Sequence, residues 1–168
     1  MISDQMFVDS VIRPFQQVVT RIETTCSNLS DDQLLAEVAS YKNRVIYIWG
    51  HLTAIHDAMF PVLRLGKRLY PELDLAFVSN PDRSMPLPAG TEIKRSWDDI
   101  HTLLLLKLPT LSPANWLERH GSVSPEDFDR DPTRNRLAVL LNRTNHASYH
   151  LGQMMIGLKT SQAAPNKK

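Results

Sequence analysis

The sequence predicts an all-α protein, a four-helix bundle with short extra helices in the connections. Four long segments repeat apolar residues at the helical period, and no segment alternates apolar and polar residues as a half-buried strand does. The length of 168 residues is that of one ordinary domain with a sizeable core. We therefore expect a single domain over residues 1–160 and a disordered polar tail over 161–168.

The first long helix is predicted over residues 3–28, where apolar side chains form a stripe along one face. Pro14 lies inside this segment, so we expect either a kink there or a later start of the helix. Next, Ser30 and Gln33 form a capping-box pattern. This pattern predicts a short helix that ends at about Val38.

The second long helix is predicted from Asn43 to Leu65, with Gly66 as its C-terminal stop. Pro61 is expected to bend or fray its last turns. A connection over residues 67–90 follows and contains four prolines. Connections of this length without evident structure often cover or border a site.

The third long helix is predicted to begin at Thr91 and to end before Pro109. Ser112 and Pro113 then form a cap followed by proline at the first helical position. This pair predicts a short helix that ends near His120.

The fourth long helix is predicted to begin with Asp131 and Pro132, which repeat the cap-then-proline pattern, and to end near Lys159. The polar segment 121–131 before it contains Ser-Pro-Glu at 124–126, a further pattern typical of the start of a helix. The chain shows no internal repeat and no linker between domains. All four helices are therefore expected to share one core.

The composition argues against several classes of protein. Hydrophobic residues make up 42% and charged residues 22%, as in soluble globular proteins. A net charge of +1 gives no reason to expect nucleic acid or an anionic membrane as partner. No stretch approaches the roughly 18–20 apolar residues of a membrane span, and residues 1–9 lack the apolar region of a signal peptide. We therefore expect a soluble cytoplasmic protein.

Three histidines are the best candidates for a functional site. His146 and His150 lie four residues apart in the fourth helix, so their imidazoles share one face, with Cβ atoms about 5–6 Å apart. His51 lies in the apolar stripe of the second helix, where an unpaired imidazole is costly to bury. Three nitrogens from two helices can hold one cation with open positions. The alternative for His51 is a core histidine hydrogen-bonded to a carbonyl group.

The other histidines and the cysteine are not expected to bind metal. His56 lies about 140° from His51 around the helix. His101 has no histidine three or four residues away, and His120 is expected to cap a helix C-terminus or interact with its dipole. Cys26 is the single cysteine, which excludes an internal disulfide framework and a multi-cysteine zinc site. We expect it to be a buried structural thiol.

Several enzyme signatures are absent from the sequence. Ala147, Ser148 and Tyr149 separate the two histidines of the fourth helix, so the glutamate of the H-E-x-x-H motif is missing. No Glu-x-x-His pair, phosphate-binding glycine loop or G-x-S-x-G motif occurs. The sequence therefore identifies no catalytic residue. The residues that could orient a ligand or simply face solvent are Asn142, Arg143 and Gln153.

The histidine pattern resembles the DinB/YfiT-like superfamily. The resemblance rests on the segment 48–52, Ile-Trp-Gly-His-Leu, and on His-x-x-x-His-x-Gly-Gln at 146–153, and it spans the chain in helix order. It implies a four-helix bundle, often a homodimer, that holds one divalent ion, commonly nickel or zinc. By position, the ligands of that ion would be His51, His146 and His150.

The resemblance also implies a class of reaction. Characterised relatives use a low-molecular-weight thiol, such as bacillithiol or mycothiol, to attack an electrophile or to isomerise maleylpyruvate. Our leading hypothesis is a metal-dependent thiol (S-)transferase that acts on small electrophiles with such a thiol as cosubstrate. One alternative is a metal-dependent hydrolase, for which the sequence shows no general base. The other is a bundle that binds a metal or small ligand without turnover.

Overall fold

The computed structural model of the chain describes residues 3–163, with side chains described up to Lys159. It confirms the predicted all-α class, since these residues contain no strand and only two isolated bridge pairs. One turn of 3₁₀-helix follows the sixth helix. The helices are α1 (Asp4–Cys26), α2 (Asp31–Leu34), α3 (Val45–Asp57), α4 (Met59–Val62), α5 (Leu73–Phe77), α6 (Gly90–Lys107), α7 (Pro113–Trp116), α8 (Pro125–Arg130) and α9 (Arg136–Ala163).

Helices α1, α3, α6 and α9 form the bundle. α1 packs along α9 and touches α6, while α3 packs against both α6 and α9. The core between them is built from large apolar side chains that are fully buried, and each stabilises the fold by about 1.5–3 kcal/mol through burial. Among these side chains are Phe15, Ile22, Trp49, Trp97 and Leu140.

α1 begins at Asp4, where the Ser3 hydroxyl accepts a hydrogen bond from the N–H of Met6. The helix continues through Pro14, so the alternative of a later start is wrong. Pro14 has no N–H to offer to the carbonyl group of Ser10. Both residues are exposed, so water can satisfy that carbonyl and the helix need not end.

The predicted capping box at Ser30 and Gln33 is present at the start of α2. α2 is shorter than expected, however, and ends at Leu34 rather than near Val38. The chain then turns back on itself, and the N–H of Val45 donates to the carbonyl of Ala36. This turn aligns the chain for the start of α3.

The second long helix is divided into α3 and α4 at Ala58. Pro61 causes this division, because it lacks the N–H that would bond to the carbonyl of Asp57. α4 ends at Val62, and Arg64, the second residue after it, adopts a φ of 56° and donates its N–H to the carbonyl of Pro61. The predicted stop at Gly66 is therefore wrong, because the left-handed residue that ends the helix lies two positions earlier.

The connection over 67–90 contains α5 and is fixed to the end of α3 by Asp57. The carboxylate of Asp57 is fully buried and accepts hydrogen bonds from the N–H groups of Leu69 and Tyr70, at 2.8 and 3.1 Å. It also pairs with Nε of Arg68 at 2.9 Å. These contacts hold α5 against α3 and bring the connection to the histidines.

Phe77 of α5 fits against α3 because residue 50 is glycine. A Cβ atom at Gly50 would lie 2.2 Å from the Phe77 ring, a separation that no packed pair of carbon atoms allows. The Phe77 side chain is fully buried. Its main chain therefore reaches the neighbourhood of His51, which follows Gly50 in the sequence.

The third long helix of the prediction is α6, and its bounds are confirmed to within a few residues. The helices after it begin or end at other residues than predicted. α7 ends at Trp116, so His120 does not lie at a helix C-terminus. α9 begins at Arg136 rather than at Asp131, whose carboxylate instead accepts from a local turn. The side-chain oxygen of Asn135 accepts from the first turn of α9 and replaces the predicted cap.

α9 is 28 residues long and runs to Ala163. The first three residues of the predicted disordered tail, 161–163, therefore belong to this helix, and 164–168 lie outside the described residues. In the described part of the chain, none of the helices combines the length and the apolar character that a membrane span requires.

Two histidines form a buried pair in the core that the sequence did not predict. Nδ1 of His101 donates to the carbonyl of Trp97 at 2.8 Å, so Nε2 of His101 accepts from Nδ1 of His56, also at 2.8 Å. Both rings are neutral in this arrangement and pack beside Phe15. The pair joins α3 to α6 by a hydrogen bond inside the apolar core.

This pair is expected to make the fold sensitive to acid. Burial lowers the pKa of His101 to about 3, and burial together with the charge that His101 would carry holds the pKa of His56 well below its usual value. Each histidine of the unfolded chain titrates near 6.5, so below pH 6.5 the unfolded chain binds more protons. The free energy of unfolding should then fall by about 1.4 kcal/mol per pH unit for each ring.

Urea unfolding at pH 7, 6 and 5 checks this expectation. Measurements between pH 7.5 and pH 8 are the internal control, because both rings are then largely neutral in the unfolded chain as well as in the folded chain. Protonation of either ring in the folded protein near pH 6.5, detected by NMR, would contradict the expectation.

Candidate metal centre

The three histidines that the sequence singled out lie together in the fold, on α3 and α9. Nε2 of His146 lies 3.4 Å from Nε2 of His51 and 3.1 Å from Nε2 of His150. One ring nitrogen from each residue lies within 4.8 Å of the other two. All three side chains are partly buried.

Two of these separations match those between ligands of one bound ion. Two nitrogens at about 2.0–2.1 Å from one tetrahedral ion are about 3.3 Å apart. The two Nε2 distances of 3.1 and 3.4 Å bracket this value. The cluster could therefore hold one divalent ion with little change in the positions of the rings.

His51 is oriented by the main chain of the connection. Its Nδ1 lies 2.8 Å from the carbonyl oxygen of Phe77. A carbonyl oxygen can only accept, so Nδ1 carries the proton and Nε2 presents its lone pair to the cluster. One nitrogen of His51 thus bonds to a carbonyl group, as expected of a core histidine, and the other faces the cluster, where it is placed to act as a ligand.

His150 is oriented in the same way by a side chain. Its Nδ1 donates to Oε1 of Gln153 at 2.8 Å, and Nε2 of Gln153 donates to the hydroxyl of Tyr149 at 2.9 Å. Nε2 of His150 is therefore also free to face the cluster. Such hydrogen bonds fix the tautomer and the ring orientation of histidines that bind metals. Nδ1 of His146 is buried and has no hydrogen-bond partner among the described residues.

The surroundings keep His146 and His150 neutral near pH 7. Burial lowers the pKa of His146 to about 4, and the charges of His150, His51 and Arg143 act in the same direction. Burial also lowers the pKa of His150, although the bond to Gln153 opposes this effect. Neutral imidazole is the form that binds a metal ion. No Asp or Glu among residues 3–159 belongs to the cluster.

A pocket of about 160 Å³ gives access to the cluster from one side. Its wall is mostly apolar, and the rings of His51 and His150 form part of it. The connection over 67–90 supplies part of the opposite wall, so it borders the site as its length suggested. The lining residues are Asn43, Tyr47, Ile48, His51, Phe77, Val78 and His150.

The remaining candidates lie away from the cluster or do not face it. His56 and His101 form their own buried pair, and Nδ1 of His120 accepts from the N–H of Ser122. Cys26 is buried beside Met154, and burial raises the pKa of its thiol to about 12, so it remains an unreactive thiol near neutral pH.

Comparison with known proteins agrees with the histidine geometry. A model of the DinB superfamily matches residues 15–154, a segment that contains all three histidines and all four bundle helices in whole or in part. A search of curated proteins found no match. On the extent of the family match, the chain belongs to the DinB superfamily.

Proposed function

We propose that the chain binds one divalent transition metal ion, nickel or zinc, through His51, His146 and His150 and uses it to transfer a low-molecular-weight thiol to small electrophiles. The convergence of three imidazoles beside a pocket is the observation that carries this proposal. Imidazole is a ligand that suits zinc, nickel and related ions.

The bound ion would supply charge to lower the pKa of a thiol in the pocket, since three neutral ligands leave the charge of the ion uncompensated. The carbonyl of Phe77 and the side chain of Gln153 hold two of the ligand rings in place. Ile48, Phe77 and Val78 supply apolar walls that keep bulk water away from the sulfur. The electrophile would approach from the open side of the pocket.

The lack of an acidic residue in the histidine cluster, as far as the side chains are described, favours thiol transfer over hydrolysis. A thiol ionises near pH 8.5 unaided, so a modest lowering of its pKa yields the nucleophile at neutral pH. Water starts from a much higher pKa of about 15.7, which zinc can lower to about 7, and zinc proteases generally add a general base such as glutamate to direct the attack of the bound water. The histidine cluster has no carboxylate among the described residues.

The proposal extends to a cytoplasmic homodimer that acts on small molecules. Small thiols stay reduced in the cytoplasm, where such an enzyme would find its cosubstrate. Sedimentation equilibrium of the metal-loaded protein tests the dimer, which a single monomeric species would contradict.

A conjugation assay tests the reaction. Metal-loaded protein is mixed with an aryl chloride and a panel of thiols, including bacillithiol and mycothiol, with and without chelator. In this reaction a sulfur–carbon bond forms, the carbon–chlorine bond breaks, chloride leaves and the thiol proton passes to the buffer. We expect conjugation with at least one thiol that chelator abolishes.

Other outcomes of that assay distinguish the alternatives. Ester hydrolysis without thiol, sensitive to chelator, would support a hydrolase. Metal binding without either reaction would indicate a protein that binds a metal without catalysing a reaction. Either result would contradict the transferase proposal.

Replacing Gln153 by alanine is expected to weaken metal binding by about 10–100-fold, because His150 loses the acceptor that orients it. Gln153→Glu keeps an acceptor oxygen and should bind more tightly than the alanine variant. Competition with a chromogenic chelator measures the affinity. Gln16→Ala, at an exposed position of α1, is the control, and equal affinity of Gln153→Ala and wild type would refute this role.

A further inference from the structure

Arg143 lies on the same face of α9 as two of the cluster histidines. It precedes His146 by three residues and His150 by seven, spacings that place all three side chains on one side of a helix. Its side chain is partly buried. The guanidinium group therefore belongs to the surroundings of the candidate metal centre.

The hydrogen bonding of Arg143 differs from that of the other arginines that are at least partly buried. In the part of the chain with described side chains, Arg44, Arg68 and Arg136 each pair with a carboxylate. Arg119 donates to a main-chain carbonyl. The single recorded bond of Arg143 within that part joins Nη1 to the amide oxygen of Asn142, its exposed neighbour, at 3.1 Å.

The positive charge of Arg143 is therefore uncompensated where it is partly removed from water. Burial lowers the pKa of Arg143, and no acidic group among the described residues acts against that effect. Its charge also acts to lower the pKa of His146 and of His56. The guanidinium charge therefore contributes to the electrostatic potential at the cluster.

Arg143 lies along the seam where α9 packs against α3. On α3, Ile55 and Ala58 follow His51 at helical spacing and are partly buried, as Arg143 and His146 are on α9. Each of these side chains therefore keeps some contact with solvent. A small molecule at the histidines could extend along this seam for about one turn, roughly 5 Å.

We propose that Arg143 binds a carboxylate carried by the small molecule that occupies the histidine cluster, so that the site selects anionic thiols or electrophiles. This inference rests on the proposed function. A guanidinium group matches a carboxylate through two parallel hydrogen bonds, and it favours an anion most where water is partly excluded. The partner that Arg143 lacks within the protein is then supplied by the ligand.

A matched pair of thiols tests this role. Cobalt(II)-loaded protein is titrated with 3-mercaptopropionate and with the neutral 3-mercapto-1-propanol, and binding is followed by the sulfur-to-cobalt charge-transfer absorption. In the wild type we expect the carboxylated thiol to bind more tightly. In Arg143→Gln this preference should fall by about 10-fold, while affinity for the neutral thiol stays the same.

One further variant separates the charge of Arg143 from its geometry, and another is a control. Arg143→Lys keeps the charge without the planar fork and should retain part of the preference. Arg13→Gln removes an exposed arginine from α1 and should leave the preference unchanged. Circular dichroism and cobalt stoichiometry establish that each variant is folded and loaded.

The failures of the two proposals are distinguishable. If cobalt binds but neither thiol produces the absorption band, the proposed function fails, and this inference fails with it. If the band appears and the preference is the same in Arg143→Gln and in wild type, only the role of Arg143 is overturned.

Discussion

Replacing His150 by alanine is expected to lower the affinity for zinc or nickel by at least about 100-fold. The substitution removes one of three nitrogens that converge within 4.8 Å of one another and leaves only His51 and His146. Changes to residues that merely orient a ligand cost about 10–100-fold, so the loss of a ligand should cost more. Elemental analysis after gel filtration should show an ion in the wild type and little in the variant.

The matched control for this experiment is His120→Ala. His120 is partly buried like His150, but its ring bonds to the main chain of a loop. This variant should retain the ion at the wild-type level. Equal retention of metal by His150→Ala and wild type would show that His150 is not a ligand.

Replacing Asp57 by alanine is expected to destabilise the fold by about 3–5 kcal/mol, because two main-chain N–H groups of the connection lose a charged acceptor, although Arg68 keeps its second partner, Asp74. The carboxylate is fully buried and binds Arg68 and two main-chain N–H groups of the connection. Its loss should also loosen the connection that carries Phe77 to His51. Urea unfolding measures the change in free energy, and competition with a chelator measures the accompanying loss of metal affinity.

Asp98→Ala is the control for Asp57. Asp98 forms an exposed pair with Lys94 one turn away on α6, and such pairs contribute about 0.3–0.5 kcal/mol. Asp57→Asn keeps the shape and an acceptor oxygen, so it should cost less than the alanine variant. If Asp57→Ala and Asp98→Ala have equal effects, the anchoring role of Asp57 is wrong.

The fold class could be predicted because the helical signals are local. The apolar period marked the long helices, and the caps at Ser30 and Ser112 marked the starts of α2 and α7. Helix ends were harder to predict. Arg64, rather than Gly66, adopts the left-handed conformation that ends α4, and α9 begins after a turn at Asp131 instead of at that residue.

The site could be predicted only in part. The spacing of His146 and His150 follows directly from helix geometry, whereas their proximity to His51 depends on how α3 packs against α9. The position of His51 in the apolar stripe suggested that association, and the resemblance to a known superfamily implied it. Phe77 could not be identified, because it contributes a main-chain carbonyl, a group that every residue possesses.

Two other features depend on tertiary packing alone. His56 and His101 lie 45 residues apart, and nothing in the spacing of the two helices indicates that their rings meet. Arg143 was recognised as a residue near the pair, but the lack of an acidic partner became visible only with the fold. Pairing of charges across helices is not encoded in a local pattern.

X-ray absorption spectroscopy of the protein loaded with zinc or nickel tests the central claim most directly. The account predicts about one ion per chain, with a spectrum that shows three imidazole nitrogens at about 2.0–2.1 Å. A protein that retains no ion after loading, or an ion whose spectrum shows no histidine nitrogen, would contradict it.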